Sequence, residues 1–493
     1  MQPTLHRLVA PCVRDCPAGI DVPRYIGYIA LGKFSEAVAV VRERIPLPAV
    51  CGYVCYRPCE PGCRRGQMDT VVAINALKRA ATDRDGEVWR QRWEATIAPP
   101  TGKRVAIIGS GPAGLTTAYY LGKVCGHSVT VFEALPQPGG QLVMGIPSYR
   151  LPREIIEQEI AVIGENRVEL RCGTPAESLD DLMAHGYDAV LIATGTCAPQ
   201  RLNIPGEGLR GVWEGVHFLK DVNLGGPVEV GQRVVVIGGG NVAIDCSRTA
   251  LRLGAQEVTI AYRRSRQEMP AYDFEVHSAE EEGVCLEFLA APVRIKAQGG
   301  ALRLRLIRME LGEPDASGRR RPVPIPGSEF EVEVDTVLAA IGQVPQNEHW
   351  GLELDRNGTI KTDPESSATS RPSVFAAGDT VTGPVNVIQA IAGGRKAAQA
   401  IDRYLGGSGE IAETLAPQGE EMDIPPGLSP QGEGQVEMAE LELEARRSFD
   451  LVELGYGEEE SRAEALRCIR CDLWRARGVP DVWPKKKSAA ASP

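Results

Sequence analysis

Thirteen cysteines are spread unevenly over 493 residues. Cys12 and Cys16 come first, then Cys51, Cys55, Cys59 and Cys63 at regular four-residue steps, and Cys468 and Cys471 lie near the other end. Those eight make two sets of four, and four thiolates hold either one zinc ion or one iron–sulfur cluster. Zinc sites usually close on paired short-spaced knuckles, which the four-residue steps only loosely imitate, so the cysteines alone leave both metals open. Disulfides are the weaker expectation. Met1–Arg7 has no apolar signal core, so a reducing cytoplasm is the expected compartment. Cys125, Cys172, Cys197, Cys246 and Cys285 stand alone, as small buried side chains do.

A second chemistry lies in the glycines. Gly109-Ser110-Gly111-Pro112-Ala113-Gly114 follows the apolar run Val105–Ile108. In such a turn the first glycine makes the bend, the second lets backbone approach a pyrophosphate and the third lets helix pack on strand. The next apolar strand, Ser128–Phe132, ends in Glu133, at the distance where an acid holds a ribose diol. Gly140, Gln141 and Leu142 follow, and far downstream Val374–Ala377 runs into Gly378-Asp379, with Gln389 and Ala390 opening a helix. The arrangement resembles two-dinucleotide flavoproteins, in which the aspartate meets the ribityl chain and the helix start faces the flavin. Gly238-Gly239-Gly240-Asn241-Val242-Ala243 repeats the turn, but its second strand, Glu257–Tyr262, ends in Arg263-Arg264 instead of an acid. Guanidinium suits a 2′-phosphate and rejects the role of diol acceptor, which favours NADP(H) over NAD(H). Thr194-Gly195 and Gly342 read as strand ends where the chain crosses between the two units. Two flavin-style sites on one chain favour iron–sulfur clusters over zinc, since a flavin takes a hydride and releases single electrons.

The elements that must position these residues follow from pattern. With 43% hydrophobic and 24% charged residues, this is the composition of a globular protein of about three domains. No apolar run is long enough to span a bilayer, and a net charge of −11 gives no general attraction to nucleic acid. Residues 1–100 read as helices between cysteine-rich loops, with helical pieces broken near Gly32 and another helix from Thr70 to Thr82. Pro58, Pro61 and the glycines keep Cys51–Cys63 from being a regular helix. The fold class expected is α/β: two Rossmann-like dinucleotide-binding domains, one for FAD and one for NAD(P), preceded by a small helical iron–sulfur domain. Residues 101–228 and 346–407 would form the FAD unit and 229–345 the NADP(H) unit, with 408–493 a strap that ends in a charged helix, Glu458 to Leu473, carrying the last two cysteines. The Lys485–Pro493 end reads as a frayed tail.

Together these residues resemble the glutamate synthase small subunit family, which includes the N-terminal half of dihydropyrimidine dehydrogenase and the large subunit of NADH-dependent ferredoxin:NADP oxidoreductase. The markers are Cys16-Pro17-Ala18-Gly19-Ile20-Asp21-Val22-Pro23, Val50–Cys55, Val105–Gly114, Gly145–Pro152, Tyr262–Arg264 and Ala377–Asp379. The resemblance implies FAD, a nicotinamide site and two 4Fe-4S clusters. It also exposes a departure. The family opens with Cys-x2-Cys-x4-Cys-x3-Cys-Pro, and only Cys12 and Cys16 of that motif are present. Glu464–Cys471 looks like the missing piece, so the strap is expected to return to the N-terminal domain. Cys468 and Cys471 would complete one cluster with Cys12 and Cys63. Cys16, Cys55 and Cys59 would hold the other. The position where the family often supplies a Gln or Glu fourth ligand is here Lys78, a poor ligand, which leaves Cys51 as the candidate.

The activity implied is hydride exchange between NADPH and FAD, with single electrons passed through the clusters to or from a partner subunit or ferredoxin, in a hetero-oligomer. No side chain need act as a catalytic nucleophile, because the flavin is the reactive group. Alternatives are an electron-transfer or electron-bifurcating subunit using NAD(H), or a disulfide reductase, which would need a cysteine pair beside the flavin.

Overall fold

The computed structural model of the chain describes residues 9–315, 318–417 and 434–473. The middle of the expected strap and the lysine-rich tail lie outside the described residues.

Residues 9–100 hold short helices, among them Val22–Ala30, Phe34–Arg42, Pro48–Val54 and Ile74–Thr82. Asp21 caps the first of these by accepting the Arg24 N–H, and Pro23 fits its first turn, where no N–H is needed. Two sequence expectations change. Helix extends through Cys51 to Val54, because Pro48 starts it and the loop-forming prolines come only after Cys55. The expected Thr70–Thr82 helix begins at Ile74. Its leading N–H groups are taken by carboxylates from elsewhere: Glu464 accepts from Ala73 at 2.8 Å and Glu60 from Asn75 at 3.0 Å.

Next come two five-stranded parallel sheets. The first has the order Val374–Ala376, Ala189–Ile192, Arg104–Ile108, Ser128–Phe132, Val168–Arg171. The second runs Val212–Glu214, Thr336–Ala339, Arg233–Ile237, Glu257–Tyr262, Cys285–Phe288. Continuous apolar runs form the central strands because both faces of each sheet are covered. Ala198–Pro199 pairs antiparallel with Gln343–Val344, tying the outgoing chain to the returning one. The second sheet therefore recruits Val212–Glu214, upstream of position 229, since that strand pairs with Thr336–Ala339 and not with the first sheet. An antiparallel sheet, Ala290–Gln298, Ala301–Pro314 and Arg320–Val334, was not anticipated. It covers the second parallel sheet by burying Leu302, Leu304 and Leu306 against Val235 and Ile237.

After the long helix Val387–Tyr404, the chain carries no helix or strand through residue 417, yet Ile411, Leu415 and Ala416 are buried in the first core. The helix Glu458–Leu466 packs on Val22–Ala30 and Ile74–Thr82. It stops before Cys468 and Cys471 instead of carrying them, and Arg470 then adopts φ 45°. No helix among the described residues is long and apolar enough to cross a membrane.

Candidate functional site

A cavity of about 780 Å³ is lined by residues of both parallel-sheet units and by Val54 and Tyr56 of the cysteine-rich domain. Its floor is the first glycine turn. Gly109 has φ +101°, and a Cβ there would lie 2.5 Å from the Ala193 carbonyl oxygen, so only glycine fits. A Cβ at Gly140 would lie 2.9 Å from Gly111 Cα. A Cβ at Gly114 would strike the Gly109 carbonyl, which places that glycine in the packing of helix on strand, behind the wall. The helix Pro112–Tyr119 begins at the cavity without a side-chain cap, leaving its first turn for a phosphate.

Glu133 is buried. One carboxylate oxygen accepts the Ser110 N–H at 2.9 Å and the Ser110 hydroxyl, and the other accepts the Leu135 N–H at 2.8 Å. With about four lone-pair positions on a carboxylate, one stays open for a ribose hydroxyl. Asp379 follows Gly378 (φ +76°) and lines the same cavity, where burial pushes its carboxyl up to about 6, and the Val385 N–H and the Thr196 hydroxyl act to lower it. Gln141, Leu142, Thr194, Gly195 and Ala390 also line the wall. Gln389 does not. It follows the helix cap Asn386, whose side chain accepts the Gln389 N–H at 3.1 Å and donates to the Gln389 side chain at 2.6 Å, and it is Asn386 that reaches the cavity.

At the second turn, Asn241 and Val242 reach the cavity. Gly238, Gly239, Gly240, Ala243 and Gly342 are not among its lining residues. Gly239 is pressed against Tyr262, whose ring would lie 2.5 Å from a Cβ, and the helix Asn241–Arg252 starts at Gly240 without a side-chain cap. The two arginines part company. Arg263 is exposed, but Arg264 is buried, with Nε donating to the Arg320 carbonyl at 2.8 Å and the guanidinium paired to Asp315 at 2.6 Å. The antiparallel sheet consumes Arg264, so one guanidinium is presented where two were expected.

Several wall residues escaped the sequence reading. Tyr56 and Tyr272 stack with ring centroids 5.8 Å apart, joining the cysteine-rich domain to the nucleotide unit. Arg150 donates to both Asp245 oxygens at 2.8 Å and pairs with Glu275, a buried network at the rim. Desolvation acts to lower the Arg150 pKa, but Asp245 and Glu275 raise it overall. The Gly145–Pro152 segment was the one available signal for Arg150; nothing linear connects it to Asp245.

The eight cysteines fall into two neighbourhoods. Burial pushes the Cys12 thiol up, and its nearest electrostatic neighbours are, in order, Cys468, Cys471, Cys63 and Cys59. Burial likewise raises Cys468 to about 12 and Cys471 to about 11, each beside Cys63. Cys51 and Cys59 are raised by burial, opposed by Lys78, with Cys55 and Cys16 beside both. Thiols this deeply desolvated stay protonated unless a metal replaces the proton. Among the described residues, only Cys125, His127 and Asp402 place three ligand-type atoms within 4.8 Å of one another. A single zinc holds its thiolates roughly 3.8 Å apart, so both cysteine groups are spaced wider than one zinc draws them, as a multi-iron cluster requires. The Cys125 group is a closed network: the His127 ring nitrogens meet Thr101 at 2.7 Å and Asp402 at 2.9 Å.

Cys197 is the one cysteine among the described residues on the flavin-side cavity wall, and burial raises it to about 11. A disulfide reductase would need a second thiol there.

Comparison with known proteins agrees with this geometry. The family model for pyridine nucleotide-disulphide oxidoreductases matches residues 103–394, and that for dihydropyrimidine dehydrogenase domain II, 4Fe-4S cluster, matches 5–88. The chain is 43% identical to the NADP(+)-dependent formate dehydrogenase subunit beta of Moorella thermoacetica, over 94% of this chain and 71% of that protein. It is 39% identical to the NADPH-Fe(3+) oxidoreductase subunit beta of Geobacter sulfurreducens, over 95% and 76%. It is 38% identical to the glutamate synthase [NADPH] small chain of Escherichia coli, over 80% and 88%. In fold it resembles Mycobacterium tuberculosis FprA in complex with NADPH, with a TM-score of 0.55 and 24% identity over 62% of this chain and 85% of that one. The chain belongs to the pyridine nucleotide-disulphide oxidoreductase family, alongside the glutamate synthase small subunit, and is an NAD(P)-dependent iron–sulfur flavoprotein oxidoreductase.

Proposed function

We propose that the chain exchanges a hydride with NADPH at FAD held in the large cavity, and relays electrons one at a time through two 4Fe-4S clusters to a partner subunit. FAD, when bound, supplies the conversion between two-electron and one-electron chemistry. The protein's part is placement. The first glycine turn and the uncapped helix start would take the pyrophosphate, Glu133 the ribose and Asp379 the ribityl hydroxyls. Arg263 would take the 2′-phosphate of NADPH, which favours it over NADH. Stacked Tyr56 and Tyr272 cover the cavity beside the cysteines and would exclude water where the nicotinamide enters.

One observation carries the reading: Val54 and Tyr56 line the cavity while Cys55, between them in extended backbone, belongs to the Cys16, Cys51, Cys59 neighbourhood. That short loop would bring a cluster held by these cysteines beside a flavin in the cavity. Cys12, Cys63, Cys468 and Cys471 would hold the outer cluster, from which electrons leave. The acceptor would belong to another chain of a hetero-oligomer, as the relatives' names, subunit beta and small chain, suggest. A reducing, cytoplasmic compartment suits eight cysteines kept as cluster ligands.

The test is anaerobic titration of the purified protein with NADPH. Flavin absorbance should bleach and paramagnetic signals of reduced clusters should follow. An unbleached flavin rejects the proposal.

A further inference from the structure

Helices Pro48–Val54 and Ile74–Thr82 meet where a Cβ on Gly52 would lie 2.9 Å from Arg79 Cα, and Asn75 locks them by donating to the Gly52 carbonyl at 2.7 Å. Cys51 and Lys78 each immediately precede that contact. Lys78 is only 5% exposed. Among the described residues no carboxylate or carbonyl pairs with its ammonium, and its nearest electrical neighbours are the thiols of Cys55, Cys51, Cys59 and Cys16. In return, Lys78 is the strongest charged influence on both Cys51 and Cys59.

The acids nearby are otherwise engaged. Glu159 pairs with Arg42 at 2.9 Å and accepts the Ala49 N–H at 3.0 Å. Glu60 accepts the Asn75 N–H at 3.0 Å and feels Arg57 more strongly than Lys78. A buried ammonium without an anion costs several kcal/mol. Four thiolates, as around an iron–sulfur cluster, would supply the anion that Lys78 lacks.

Resting on the cluster reading above, we infer that Lys78 is a fixed cation that raises the reduction potential of the flavin-side cluster, a positioning residue for electron flow and not a ligand. Reduction adds one electron, which originates in the hydride of NADPH, to an assembly already anionic from its thiolates. The nearby positive charge stabilises that reduced form, and net charge is one of the levers that set cluster potentials. The electron then passes toward the Cys12, Cys63, Cys468, Cys471 group, and no proton moves at Lys78.

The experiment is a potentiometric titration of the full chain, followed by electron paramagnetic resonance, with iron counted in every sample. Lys78→Met should keep the iron content while one cluster becomes at least tenfold harder to reduce, ~59 mV for one electron, and the other stays put. Lys78→Arg, which keeps the charge, should hold near the wild-type potential. Full iron with neither potential moved in Lys78→Met overturns the inference. If Lys78→Met loses iron, Lys78→Gln is judged by the same criterion, and loss of iron in all three variants also overturns it by making Lys78 an assembly residue. A wild type carrying about four irons instead of about eight fails the two-cluster reading itself, independently of Lys78.

Discussion

Glu464 accepts the backbone N–H of Ala73 at 2.8 Å, joining two points 391 positions apart. The same carboxylate accepts from Arg467 at 2.6 Å and from the Val436 N–H at 2.9 Å, and it is fully buried. Arg467 in turn donates to Asp69, Thr70 and the Val71 carbonyl. A carboxylate with this many donors organises the C-terminal segment on the N-terminal helices, and so brings Cys468 and Cys471 to Cys12.

Replacing Glu464 with alanine strands the buried Ala73 N–H and the half-buried Val436 N–H, and leaves Arg467 with Asp69, Thr70 and the Val71 carbonyl only. Each unsatisfied donor costs about 1–3 kcal/mol. The Glu464→Ala protein should lose iron faster than wild type under a chelator challenge, measured as chelated iron against time. Equal rates would mean that the segment docks without this carboxylate.

The Cys468→Ser, Cys471→Ser double variant should fall from about eight to about four irons per chain, with flavin content unchanged. Iron and flavin assays on one sample check it, and an unchanged iron count removes these two cysteines from the ligand set.

Arg263 and Arg264 should behave differently. Arg263→Ala removes a charge-assisted contact to the 2′-phosphate, about 1.5–3 kcal/mol, so kcat/KM for NADPH should fall ~10–100-fold while NADH is little affected. Arg264→Ala should instead lower thermal stability by loosening the turn at Asp315 and Arg320. Steady-state kinetics with the two nucleotides, plus melting curves, separate the two roles.

Asp379 gives a pH dependence. Burial raises its carboxyl to about 6, above the ordinary 3.8, so without flavin the fold holds this proton more tightly than the unfolded chain does. That contribution to stability is present at low pH and lost as pH rises through about 6. A ribityl hydroxyl donates, and so favours the ionised carboxylate. FAD affinity should therefore rise with pH through the same range, and Asp379→Asn should bind more weakly with a flat profile. Fluorescence titration of FAD into the flavin-free protein between pH 5 and 8 reads this out, and an equal slope in the variant assigns it to another group.

Wherever a function depends on neighbouring residues, the sequence was legible. A glycine turn between strand and helix needs consecutive residues, so Gly109–Gly114 and Gly238–Ala243 announced two parallel-sheet units that the structure contains. The parallel strands showed as apolar runs because they are covered on both faces. The antiparallel sheet was missed although Leu302, Leu304 and Leu306 alternate with arginines, because strand periodicity alone does not say where a sheet is inserted.

Chain order could name the eight cysteines, the acid after Ser128–Phe132 and the arginines after Glu257–Tyr262, because those are properties of residue type and spacing. It could not decide which of the two arginines remains available, since a hairpin some 50 residues downstream takes Arg264. Nor could it stack Tyr56 on Tyr272 or set Arg150 against Asp245. Burial, electrostatic neighbourhood and ion pairing act through space, and these partners become neighbours only when packed helices and the crossing between the two sheets bring distant segments together.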